Sequence, residues 1–571
     1  MAAPSIARPT PVFAGIDFGT TYSGLAYFIG ASRGDPELVI WDPVNPTCKF
    51  PSKVTVSNSN ILCGPQVPAG TESMEWFKLA LLHHDDLDNE IRDSPLFQEY
   101  ESFRRRLDLK ASQVVQHLLK YMWGKFKDAL RSSNPEEIFL FHLTVALPAN
   151  WPQYTLAAMR DAVKKSGIGL ELHAPVSFIS EPEATTLATI AGPVTVLDTQ
   201  GLENLSVLKF LKGDTVLVCD CGGGTVDLGA YTIINPDGNI ALKECIPGTC
   251  RLNGAVKLDD RFIELLDKKA KDLRTRRGFE SRKKEHYRKF ANTAWELEMK
   301  PNFGSSEETV WSYEVPGSWL ATNTRHAPGE YPKLTFTLED LTSVFEPVFR
   351  IAQLVEEQIH AIHLKTKMAP KYVIISGGFG SNKYVQSIIR NRVNEVSQRI
   401  GHTVHTVILP SGRSFKAVCD GAAKRCLQKF TEDLELARSI PRVNQQIARM
   451  NYGIRSKVRP GAYFWFVSQG DAIDPAHPTI LNLDASSFYI TRSNEELELS
   501  LDVFQQSPDG LEDLFATVKW KPDLDIGALG AVAGSIQLQP WLEGGMLNMS
   551  ILYRNTLQSE EQVTIKYTSR A

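Results

Sequence analysis

The sequence predicts an α/β fold of two related lobes that share one cleft, followed by a small all-β domain. Three observations carry this. Two apolar strands end in similar turns, IDFGTT at 16–21 and CDCGGGTVD at 219–227, each with Asp at the strand end and Gly and Thr in the turn. Stretches with helical periodicity follow both turns. Beyond about residue 452 that periodicity gives way to short alternating segments such as AYFWFV, LELSLDVF and QVTIKY, separated by turn residues.

In chain order, residues 12–29 read as a strand, a tight turn at Gly19 and a returning strand. A helix follows over 103–133, with Val114, Leu118, Met122 and Phe126 near one face. HLTVALP is a buried strand stopped by Pro148, and AAMRDAVKKSG is a helix capped at Gly167. VSFIS is a short strand leading into a helix that opens with Glu181 and Pro182. Residues 192–213 read as a surface insertion. TVLVCD is a buried strand, GGGT a turn and VDLGAYTII the return.

Residues 255–300 are helical and carry a basic cluster. Asp267, Asp272, Glu280 and Glu285 interrupt it and no aromatic stacking pattern accompanies it, so it reads as a solvated helix pair and not as a nucleic-acid surface. A long helix over 338–364 precedes KYVIISGGFG, a strand ending in a third glycine turn. SNKYVQSIIRNRV and AVCDGAAKRCLQKF are the last helices. The resulting division is lobe I at 12–212, lobe II at 213–405, a returning helix at 406–430, a linker at 431–454 and the β domain at 455–571.

The chain has 571 residues, 43% hydrophobic and 22% charged, with a net charge of -4. That composition suits several globular cores, and its charge points to neither a nucleic-acid nor a membrane partner. The start lacks the apolar core of a signal peptide, and no stretch approaches the ~20 apolar residues of a membrane span. Eight cysteines are scattered along the chain. The Cys219–Cys221 pair has no CxxC companion to make a zinc site, and reduced thiols in a cytoplasmic protein are the plain reading, with the nucleus as a second compartment.

The two Asp–Gly–Thr turns carry the chemistry. Glycine turns expose successive backbone N–H groups that cradle phosphate oxygens, and threonine hydroxyls add donors. Asp17, Asp220 and Asp227 would repel phosphate directly. They make sense holding Mg²⁺ through its retained waters, or orienting an attacking water. The third turn, SGGFGSN at 376–382, joins a strand to a helix N-terminus and suits a nucleoside sugar or phosphate. A Walker A loop and the protein-kinase signatures are absent.

With these motifs the chain resembles the heat-shock protein 70 chaperones of the actin-like ATPase superfamily, over residues 12–430. GIDFGTTYSG and VCDCGGGTVDL look like the two phosphate motifs, ISEPEATTLA like the first connecting motif and VIISGGFGSNKYVQ like the adenosine motif. LTVALPANW and MRDAVKKSG resemble the proline-switch strand and its helix. The insertion before 213, the WFKLAL stretch and the C-terminal β domain look closer to a divergent branch called heat shock protein family A member 12-like, with fungal relatives.

The resemblance implies a two-lobed actin-like ATPase with ribonuclease H-like duplicated lobes, ATP or ADP and Mg²⁺ as ligands, and roles for particular residues. Asp17 and Asp220 would hold the metal through water, with Asp227 beside the attacking water. Gly19, Thr20, Thr21 and Tyr22 would meet the phosphates, with Gly222, Gly223, Gly224 and Thr225 opposite. Lys78 falls at the catalytic lysine and Glu181 would couple nucleotide state to the switch at Pro148. Gly377, Gly378 and Phe379 form the adenosine turn, while Lys300 and Ser381 fall where two basic side chains usually clamp adenine. Leu156 stands at the position of a relay arginine.

Protein clients reached through the β domain, and co-chaperones, are the partners this implies. The leucine-rich acidic linker, helical lid and acidic tail of typical members are not visible. The expected function is an ATP-binding, slowly hydrolysing chaperone-like protein. A nucleotide-sensing adaptor without useful hydrolysis is the alternative, and a small-molecule kinase is a third reading on the same fold.

Overall fold

The computed structural model describes residues 9–41, 47–68, 70–197, 203–236, 238–277, 284–305, 309–316, 319, 332–410, 412–455, 462–474, 479–483, 487–493, 496–506, 510, 512–522, 536–543, 546–559 and 562–567. It is a mixed α/β protein with several sheets.

The first sheet is built on β1 (Thr10–Asp17) and β2 (Tyr22–Ile29), an antiparallel pair joined by the IDFGTT turn. β1 also pairs in parallel with β3 (Phe139–Leu147), and β3 with β4 (Ser177–Ser180). β1, β3 and β4 are buried almost throughout, as strands covered on both faces must be.

The second sheet has nine strands. They are β5 (Pro193–Leu197), β6 (Glu203–Val207), β7 (Thr215–Cys221), β8 (Val226–Asn235), β9 (Ala241–Arg251), β10 (Tyr372–Ser376), β11 (His405–Ile408), β12 (Arg442–Ile447) and β13 (Ala472–Ile473). Their spatial order is β6-β5-β11-β10-β7-β8-β9-β12-β13. The stretch expected as a surface insertion at 192–213 therefore supplies β5 and β6, which extend this sheet beyond β11; residues 198–202 lie outside the described residues. The expected linker at 431–454 contains a helix, Leu434–Ser439, and then β12, which pairs in parallel with β9.

Two expected helices are each divided. The one expected over 103–133 is α1 (Pro95–Arg106) and α2 (Ala111–Ser133), separated where Asp108 turns to φ 52°. α2 buries Val114, Leu118, Met122 and Phe126 on one stripe. The one expected over 338–364 is Leu338–Val344 and Pro347–Thr366, because Pro347 has no N–H to continue the ladder and suits the start of a helix. The basic stretch runs through helices Val256–Arg277 and Lys284–Phe290, and 278–283 lie outside the described residues.

α3 (Glu181–Thr189) and α4 (Ala417–Phe430) position the ends of the strands. A Cβ at Gly421 would sit 1.8 Å from the Ala184 carbonyl oxygen, and one at Gly15 would sit 2.1 Å from the Ala423 nitrogen. Only glycine lets α4 lie this close to both β1 and α3.

Past residue 451 two antiparallel sheets share one core. Asn451–Arg455, Tyr463–Val467, Glu496–Gln506, Glu512–Trp520 and Val563–Tyr567 belong to one, and Leu481–Leu483, Ile536–Glu543 and Met546–Tyr553 to the other. Alternate residues such as Leu499, Leu501, Val503, Ile536 and Leu538 fill the space between them. Glu543 of this region meets Lys429 at 2.9 Å and Arg160 at 3.8 Å.

Candidate functional site

The ends of β1, β7 and β10 converge. Asp17 closes β1, Asp220 and Cys221 close β7, and Ser376 closes β10 beside Asp220. The turns after these strands line one pocket with a cavity volume of about 90 Å³.

The IDFGTT turn is braced from below. The Ser23 hydroxyl accepts from the Gly19 N–H at 3.2 Å, and the Ser52 hydroxyl donates to the Gly19 carbonyl at 2.8 Å. The GGGT turn is fixed on its far side. The carbonyls of Gly222, Gly223 and Gly224 accept from the N–H groups of Ala255, Val256 and Gly254. The two turns interlock: a Cβ on Gly223 would lie 2.3 Å from the Thr21 hydroxyl oxygen, and one on Gly224 would lie 2.3 Å from that of Thr20. Gly223 and Gly224 are therefore required by the opposing threonines, whereas a Cβ on Gly222 would meet only Thr225 of its own turn, with the carbonyl oxygen at 3.1 Å.

Beneath the turns lies a cluster of charge. Lys78 Nζ donates to Glu181 Oε1 at 2.6 Å, with both side chains under a tenth exposed. Lys78 also lies 5.6 Å from the centre of the Trp151 ring. Burial alone would lower the lysine pKa, but Glu181, Asp17 and Asp227 hold it above its ordinary value. Burial, reinforced by Glu181, raises Asp17 well above the usual carboxylate range. The same two causes push Asp220 up to about 7 and raise Asp227 strongly. Asp220 Oδ1 accepts from the Ser376 hydroxyl at 2.9 Å. Asp227 Oδ1 accepts from the Ala149 N–H at 2.7 Å, while its buried Oδ2 has no hydrogen-bond partner among the described residues.

Four carboxylates thus face one lysine in a buried space. Such a group favours either protons or an added cation. Among the described residues no three acidic, histidine or cysteine side chains converge tightly enough to hold a metal directly. A cation that keeps its waters, as Mg²⁺ does, fits this spacing and the unpaired Asp227 oxygen.

Of the residues singled out from sequence, Asp17, Gly19, Thr20, Thr21, Tyr22, Lys78, Glu181, Asp220, Gly222, Gly223, Gly224, Thr225, Gly377 and Gly378 line the pocket. Asp227 is not in the wall but pairs with Asp220 across β7 and β8. Lys300, Phe379 and Ser381 are not in its wall. Lys300 is held by Asp259 at 2.6 Å and Glu296 at 2.8 Å. Phe379 is buried in the core of the second sheet, and the Ser381 hydroxyl donates to the Gly378 carbonyl of its own turn. Sequence reasoning passed over Ser23, Gly24, Lys49, Phe415 and Val418, which also line the pocket. Ser23 and Gly24 could have been found from the TTYSG run; the other three come from segments with no motif of their own.

All eight cysteines are unpaired, and the Cys219 and Cys221 thiols lie 3.6 Å apart on one face of β7. No helix among the described residues is long and apolar enough to cross a membrane.

The fold and site define a mixed α/β protein with a glycine-walled, carboxylate-rich cleft fed by several strand ends. No protein-family profile matches the chain. It is similar to human heat shock 70 kDa protein 12B, with 25% identity over an alignment of 317 positions that covers 45% of this chain and 44% of that protein. The likeness is to an Hsp70-like protein, and the chain spans less than half the length of that relative.

Proposed function

We propose that the chain is an ATP-binding, slowly hydrolysing, chaperone-like protein whose two sheets are the cores of two actin-like lobes. The observation that carries this is the interlock of the IDFGTT and GGGT turns directly above the Lys78–Glu181 pair and three aspartates. The likeness to an Hsp70 protein supports it.

In this reading the threonine hydroxyls and glycine N–H groups bind the terminal phosphates as the turns part to admit them. Asp17 and Asp220 hold hydrated Mg²⁺. Bound Mg²⁺ supplies neutralisation of phosphate charge. Asp227, with its unpaired oxygen, orients the attacking water. Lys78 remains charged and stabilises charge developing on the phosphoryl group. Positioning and electrostatics suffice, with no covalent step.

Glu181 opens α3, and Glu183 on the same helix accepts from the Gln446 amide of β12. This path supports a β domain that reads nucleotide state through β12 and binds a protein client or partner there, with co-chaperones as further partners. The cytoplasm, with the nucleus second, is the compartment this reading favours.

The test is ATP turnover by purified protein beside Asp17→Asn and Lys78→Ala. Turnover at least ~10-fold above both variants is expected, since each removes charge stabilisation of the transition state. Equal background rates in all three would sink the ATPase reading. The adaptor reading draws on Leu156, which is fully buried in the core of the first sheet where the resemblance implies a relay arginine. Nucleotide-dependent protection of the β domain from protease, without turnover, would favour it.

A further inference from the structure

The base end of the cleft differs in kind from its phosphate end. The third turn gives the pocket only the backbone of Gly377 and Gly378. The space between this turn and the helix ending at Asn302 is closed by protein. Asn382 Nδ2 donates to the Lys300 carbonyl at 2.9 Å and the Phe303 carbonyl at 3.3 Å, and the Phe303 and Tyr384 rings pack 4.8 Å apart. Lys300, whose carbonyl takes part in this seam, has its ammonium taken by two carboxylates.

Reading a base by hydrogen bonds requires fixed polar groups that an ill-matched base would leave unpaired. Among the described residues the pocket wall holds no Asn, Gln, Arg or His. Its Ser23 hydroxyl is already engaged with Gly19 and Ser52. What the mouth offers instead is Lys49, whose Nζ lies 5.2 Å from the Phe415 ring centre and 5.8 Å from that of Tyr22. Aromatic faces accept any base by stacking, and an ammonium on the rim suits a phosphate chain.

We propose that the cleft selects its ligand by the polyphosphate chain and not by the base, so that GTP, CTP and inorganic tripolyphosphate bind nearly as well as ATP. Lys49 is the rim cation that holds the chain. The inference rests on the cleft being a Mg²⁺–nucleotide site, as proposed above.

The test is calorimetric titration of the full chain, with Mg²⁺, by ATP, GTP, CTP and inorganic tripolyphosphate. Dissociation constants within about threefold for the three nucleotides and about tenfold for tripolyphosphate are expected, because only unread stacking separates them. ATP binding ten or more times tighter than GTP and CTP overturns the inference and leaves the nucleotide site standing. Nucleotides binding while tripolyphosphate does not also overturns it. No binding by any of the four removes the nucleotide-site reading and the inference together. Lys49→Met should weaken all four by a common factor of roughly 5–10, the size of one partly exposed charge contact. A loss confined to one nucleotide would make Lys49 a base reader and overturn its assignment.

Discussion

Gln446 and Glu183 are joined by a 2.5 Å hydrogen bond from the amide Nε2 to the carboxylate Oε2. Glu183 is buried, its other oxygen has no partner among the described residues, and burial raises its pKa above the usual carboxylate range. A carboxylate raised in this way holds its proton more tightly in the folded chain than in the unfolded one. Its contribution to stability is therefore lost as pH rises through the folded pKa. Glu183→Gln should raise the melting temperature at pH 8 and leave it nearly unchanged at pH 4. Gln446→Leu should lower stability by about 1–3 kcal/mol at pH 8, the cost of taking a donor from a buried acceptor. Calorimetry at the two pH values checks both, and a Glu183→Gln variant less stable at pH 8 would contradict the argument.

The neighbouring attachment is stronger. Arg449 reaches Glu244 through Nη2 at 2.5 Å and Nη1 at 2.9 Å, with Glu244 3% exposed. Glu244 also accepts from the N–H groups of Ile447 and Gly248. Arg449→Leu leaves a buried carboxylate without its cation and should cost about 3–5 kcal/mol. Removing both charges with Glu244→Leu should recover only part of this, because two backbone donors then lose their acceptor. Urea unfolding of the single and double variants measures the difference. Full recovery in the double variant would mean those donors find other partners.

How much of this was readable beforehand differs by region. The Asp–Gly–Thr turns were legible because each sits where an apolar strand stops, and a run of glycines has few uses. Lys49 and Phe415 were not, since nothing local marks a residue that reaches the cleft by tertiary packing. β12 was missed for the same reason: RVNQQI is polar, and its place depends on β9, far away in sequence. The break before Pro347 was available in the sequence, whereas the one at Asp108 depends on a φ that only the assembled fold imposes.

The interlocked turns make a sharp steric prediction. Gly223→Ala would put a methyl group 2.3 Å from the Thr21 hydroxyl oxygen, where no atom fits. The turns must separate, so Mg²⁺–ATP affinity should fall by at least ~10-fold and stability by about 1–3 kcal/mol, as for an overpacked core. Thr21→Ala in the same chain should restore part of the stability. Gly378→Ala meets nothing within 4 Å at a negative φ, and its melting temperature should match that of the parent. Equal melting temperatures for Gly223→Ala and Gly378→Ala would show that the turns are not in contact.

His142 gives the chain an acid limit away from the cleft. It lies on β3, 5% exposed, with its ring stacked between Phe13 at 5.3 Å and Phe430 at 4.8 Å. Phe430 ends α4, so this stack fastens the returning helix to the first sheet. Burial, with His173 nearby, pushes the imidazole pKa down to about 4, and its Nδ1 has no hydrogen-bond partner among the described residues. The unfolded chain takes up a proton near pH 6.5 that the folded chain refuses until about pH 4. Stability from this residue is therefore complete above about pH 6.5 and is lost as pH falls toward 4. His142→Phe keeps the stacked ring and cannot be protonated. Its melting temperature should match the parent at pH 8 and exceed it at pH 5, by a margin that grows on further acidification. Parallel curves for the two proteins between pH 7 and pH 5 would mean that His142 takes its proton without disturbing the stack.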